Sequence, residues 1–125
     1  MGLLGRSDLL KKEELKKEKV VLEETTDSYV FVRQMTAHEK NNWEISQMKK
    51  TGVGKKATYD VTLEDFRAKL AVNCICDDKG DLLFTVDDVS KLSKNMSAAT
   101  LEKIVNVAQR LNAITDEDKE EMVKN

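Results

Sequence analysis

Two cysteines a single residue apart, Cys74 and Cys76, and one histidine, His38, are the side chains best suited to covalent or metal chemistry here. A thiolate needs a neighbouring base, and His38 is the only imidazole that could serve a small hydrolase built on either thiol. The same three residues fall short of a structural zinc shell. Zinc prefers four ligands, commonly in separated C-x-x-C pairs, whereas C-x-C with one distant histidine leaves the shell incomplete. Cys74 also continues an apolar stripe with Leu63, Phe66 and Leu70, and a buried free cysteine behaves as a small hydrophobe. His38 sits in the first turn of a predicted helix, where the positive dipole end disfavours its protonated form. No catalytic or metal role is expected, and no cofactor.

The run Asp77-Asp78-Lys79-Gly80-Asp81 suggests a calcium loop until it is aligned. Placing Gly80 at the sixth loop position puts Ile75 first and Lys79 fifth, where oxygen ligands are required. A tight turn between helix and strand, with Gly80 at positive φ and aspartates bonding locally, explains it without a metal. Gly52-Val53-Gly54-Lys55 lacks the spacing and the following Ser or Thr of a phosphate loop, because Lys56 comes next. Lys49, Lys50, Lys55 and Lys56 form a local basic cluster that reads as solvated surface.

The elements that position these residues are those of one small domain. At 125 residues the chain suits a single core, 1–125. Lys+Arg 21 against Asp+Glu 23 gives a net charge of -2 with the signs interspersed, which argues against nucleic acid as partner. No apolar run approaches the roughly 20 residues of a membrane span, and the start lacks a secretory h-region, so a cytosolic protein with reduced thiols is expected. Gly2 invites myristoylation, but Arg6 occupies the position that motif gives to Ser or Thr.

Proline is absent, so other residues must punctuate the helices. Four Ser/Thr-x-x-Asp/Glu boxes mark helix starts at Thr36, Thr62, Thr85 and Thr115. Ser7 and Asp8 predict a peripheral helix within residues 1–19, running to about Lys19. Strands are expected near residues 20–24 and 28–35, joined by a polar turn at Thr25, Thr26 and Asp27, as an N-terminal β-hairpin packed on helices. A helix from Thr36 carries Trp43, Ile45 and Met48 and fades at Gly52 and Gly54, and a polar loop then runs through Asp60. Helices follow from Thr62, around Val86 to Leu92, and from Ser97 to Ile114, the last with Leu101, Ile104, Val105, Ala108 and Leu111 on one face. Residues 115–125 form a loose C-terminal segment. The fold class is α+β, mainly α-helical.

In order and spacing, V-x-L-x-E, Y-V-F-V-R-Q-M-T-A-H-E, R-A-K-L, D-x-x-G-x-x-L-F-x-x-x-D-V and L-x-x-I-x-x-V-A-x-R-L-N-x-I-T-x-E-D resemble the tail assembly chaperones of long-tailed bacteriophages and prophages. The resemblance spans Ser7 to Asn125. It implies a non-enzymatic protein of the bacterial host cytoplasm that binds the tape measure protein, helps recruit tail tube subunits and is absent from the finished virion. In many such phages a programmed frameshift appends a second domain. Trp43, Met48, Leu92 and Met96 are then the expected exposed apolar contacts, although a lone tryptophan also suits the core, and weak self-association is allowed for. A permanent minor tail or connector protein is the alternative.

Overall fold

Alternation builds the first hairpin. In the computed structural model, which describes residues 2–51, 58–61 and 65–114, β1 (Lys17–Glu23) turns Glu18, Val20 and Leu22 inward and leaves Lys17, Lys19, Val21 and Glu23 exposed. It pairs antiparallel with β2 (Ser28–Arg33) from Lys17↔Arg33 to Val21↔Tyr29, with a bulge before Glu23↔Ser28. Asp27 closes the turn at φ 56, a backbone that Asp tolerates better than most side chains. β1 therefore starts earlier than expected, and a helix running to Lys19 is ruled out. The N-terminal helix, α1, is only Arg6–Leu10. Asp8 accepts from the Gly5 amide at 3.0 Å. The following K-K-E-E-L-K-K run has no apolar face to bury, and so short a helix does not propagate without one.

α2 (Ala37–Ser46) starts as read: the Thr36 hydroxyl accepts from Glu39 N at 3.2 Å and Glu39 Oε1 accepts from Thr36 N at 2.9 Å. It ends earlier than expected. Met48 opens β3 (Met48–Thr51), which pairs with β4 (Thr58–Val61) in a separate hairpin, in part of the stretch expected to be loop. The glycine run at 52–54, the Thr62 box with Leu63, and residues 115–125 with their box lie outside the described residues.

α3 (Phe66–Val72) buries Ala68, Leu70, Ala71 and Val72. Cys74 lies just past its end, yet its side chain remains in the core. β5 (Ile75–Cys76) then adds to β2 through Phe31↔Cys76 and Val32↔Ile75, giving the sheet order β1-β2-β5. The acidic turn thus follows a strand rather than preceding one, and it returns to an isolated Cys76↔Leu82 bridge. A 3₁₀ turn at Val86–Asp88, with Asp88 accepting from Thr85 N at 2.9 Å, leads into α4 (Val89–Asn95). Ser97 caps α5 (Ala98–Leu111), accepting from Thr100 N at 3.2 Å.

The core lies where α5 crosses the sheet. Leu101, Ile104, Val105 and Ala108 face Val20, Val32 and Ile75, with α3 packed alongside. Asn112 joins the layers: its Oδ1 accepts from Met35 N at 2.7 Å, while its Nδ2 donates to Ala108 O at 2.8 Å and to Cys74 Sγ at 3.6 Å. The result is a small α+β domain with an N-terminal hairpin packed on helices.

Candidate partner-binding surface

The three reactive side chains are dispersed. Cys74 is fully buried, and desolvation pushes its thiol up to about 12, against the opposing pull of Arg33 and the Asn112 amide. Cys76 is buried on β5, and its thiol is also raised by desolvation, although Arg33 and Lys17 favour the thiolate. His38 lies exposed on α2, its Nε2 3.2 Å from the Asn42 amide. A surface imidazole has no geometry from which to deprotonate a thiol held in the core. Among the described residues, no three His, Cys, Asp or Glu side chains are grouped to hold a metal ion.

The acidic turn spends its first carboxylate on itself. Asp77 Oδ1 accepts from Lys79 N at 2.8 Å and Asp81 N at 3.0 Å, and these amide bonds, Asp81's foremost, hold it below the usual carboxylate range. Gly80, at φ 91, supplies the positive φ. Asp78, Asp81 and Asp87 remain exposed, beside Leu83 and Val86.

Sequence reading missed a part-buried ion pair. Arg33 Nη1 and Nη2 bond Glu39 Oε1 and Oε2, both at 2.9 Å, and Nη1 also donates to Gln34 O at 2.7 Å. The bond from Arg33 lowers the Glu39 pKa, and the bond to Glu39 raises that of Arg33. Alternation alone would have placed Arg33 outside with Tyr29 and Phe31. It lines a cleft of about 910 Å³ between the segment leading into β1 and the acidic turn.

The predicted contact residues divide. Trp43 is 2% exposed, its ring packed edge-on to Phe66 at 5.6 Å, so the expectation of an exposed contact there is corrected: it belongs to the core. The helix needed one large side chain to fill the space beside α3, and Trp43 fills it. Leu92 and Met96 are half-buried against the core, and Met96 lines a recess of about 260 Å³ with Phe66 and Leu101. Met48 is exposed, at the start of β3 rather than on a helix. The larger uncovered apolar surface lies elsewhere, at Leu3, Leu4, Leu9, Leu10, Ile45, Leu83 and Val86. The leucine pairs are visible in the sequence, but nothing in their spacing told a core face from an uncovered one.

No helix among the described residues is long and apolar enough to cross a membrane. No family model matches the chain, and no curated protein matches it. Among solved structures, the bacteriophage HK97 tail assembly chaperone matches with a TM-score of 0.59 at 14% identity, over 88% of this chain and 93% of that one. At that identity the likeness is one of fold, and the fold of this chain is similar to that of a phage tail assembly chaperone.

Proposed function

We propose that this chain is a phage tail assembly chaperone: a non-enzymatic protein of the host cytoplasm that binds the tape measure protein, helps recruit tail tube subunits and leaves before the virion is complete. The observation that carries the reading is the fold match, which runs over nearly the whole of both chains. The motif order in the sequence supports it independently. So does the placement of the thiols and imidazole, which gives them no shared site. A chaperone that must later depart works through many modest contacts rather than one tight one, and scattered exposed apolar side chains among charges suit that use.

Co-expression with a cognate tape measure protein tests the assignment. The chaperone is expected to keep that protein soluble and to be retained with it in a pull-down, and mass spectrometry of purified particles should not find this chain. A chain present in stoichiometric amounts in particles would instead make it a minor tail or connector protein.

A further inference from the structure

A guanidinium carries five N–H donors, and three of those on Arg33 are taken. Nη1 donates to Gln34 O and Glu39 Oε1, and Nη2 donates once, to Glu39 Oε2. Among the described residues the second Nη2–H has no acceptor, and the buried Nε has none either. These two N–H groups lie along one edge of the planar group, the fork that takes a carboxylate or phosphate in two parallel bonds. A buried donor on a charged group is costly to leave unbonded. The Arg33 side chain is 8% exposed, is held by Glu39, and lines the cleft of about 910 Å³.

The charges around that cleft leave one positive charge over. Lys12, Lys16 and Lys79 are balanced by Glu13, Glu14 and Asp81, and the remaining lining charges are Lys17 and Arg33 against Glu39 alone. Lys17 stands directly opposite Arg33 in the β1–β2 register, on the same face. Like charges so placed destabilise a sheet unless an anion answers them. Lys17 is also fixed there, its ammonium donating to Asp78 O and lying 5.3 Å from the centre of the Phe31 ring. A phosphate dianion would bring two negative charges where one is called for, among four carboxylates. A single carboxylate matches both the charge and the flat fork.

We infer that this cleft binds one carboxylate of an acidic peptide segment, an Asp or Glu side chain or a chain end, held in two bonds by Nε–H and Nη2–H of Arg33 with Lys17 beside it. The cleft is far larger than a carboxylate, so a stretch of peptide enters with the charged group. The wall from Lys12 to Lys16 belongs to no helix or strand and buries none of its residues, so it can part to admit an oxygen to Nε. The site stands apart from the chaperone assignment, and its test uses no phage protein.

Titration of the full chain with acetyl-Gly-Glu-Gly-amide, followed by NMR at the Arg33 Nε–H signal, is expected to give a saturable downfield shift with a Kd on the order of 1 mM. Acetyl-Gly-Gln-Gly-amide, which lacks the charge, should leave the signal in place. Acetyl-Gly-Gly-Gly with a free end separates the sources: the tighter of the two carboxylates identifies side chain or chain end as the natural group. Arg33→Lys keeps the charge but removes the fork, and should weaken binding by at least about tenfold, read from the backbone amide shifts of Lys17 and Gly80. Because Arg33 also holds Glu39, a second variant at an exposed position guards against loss of folding: Lys17→Gln should keep the circular dichroism of the wild type and weaken binding about threefold. An Arg33 signal that moves with neither carboxylate, a glutamine peptide that shifts it equally, variants that bind as wild type does, or inorganic phosphate binding more tightly than both peptides would overturn the inference.

Discussion

Arg33 and Glu39 are six residues apart on different elements, and their fork-to-fork bond ties the end of β2 to the first turn of α2. Arg33→Ala would strand a half-buried carboxylate, at a cost of about 3 kcal/mol, measurable by urea unfolding. Glu39 has a lowered pKa when folded, so the unfolded state binds more protons in the acid range. Its contribution is complete above the ordinary carboxylate value, near pH 4.3, and is lost as pH falls through the folded value. Wild type should therefore lose stability on acidification more steeply than Glu39→Gln, which starts lower and stays flatter. The thiols make the opposite case. With Cys74 raised to about 12, neither cysteine should react with an aromatic disulfide reagent at neutral pH in the native state, and both should react in denaturant. Replacing His38 with alanine should leave binding of the tape measure protein unchanged, and a clear loss would restore the case for an imidazole-dependent activity.

At the level of elements, what the sequence made legible was local. The Thr36 and Thr85 boxes and the Ser97 cap are satisfied within four residues, so their signals survive any tertiary arrangement. Thr36→Ala should cost about 1 kcal/mol by the same unfolding assay. The α5 stripe was readable because one face carries all its apolar residues; Ile104→Ala, at the centre of that face, should cost about 2–5 kcal/mol. The misreadings share a cause, which is pairing partners far along the chain. Lys17–Lys19 has a helical composition but joins β1 because Val20 and Leu22 are drawn to the core. β5 is two residues long and exists only because β2 offers an edge. The 48–51 and 58–61 strands were hidden by the lysines and glycines around them. By contrast α1 makes no buried contact, and removing residues 2–10 should change unfolding stability by no more than about 0.5 kcal/mol.

Over the whole molecule the order of layers was recoverable and the binding surface was not. Periodicity identifies the side chains that can be buried. It does not separate a leucine awaiting the core from one awaiting another protein. Trp43 was weighed both as core and as contact and lies in the core, while Leu9 and Leu10 belonged to a helix expected only to be peripheral. Asn112 shows how the molecule is closed: Met35, Gln34 and Cys74 all bond to the last turn of α5 or to its cap, across 77, 77 and 38 residues of chain. A nascent chain emerging in order from the ribosome therefore carries the first hairpin and α3 with their apolar faces bare until α5 has been synthesised. Arrest of translation after Asn95 should leave a protease-sensitive product, and release past Asn112 should convert it to a resistant one.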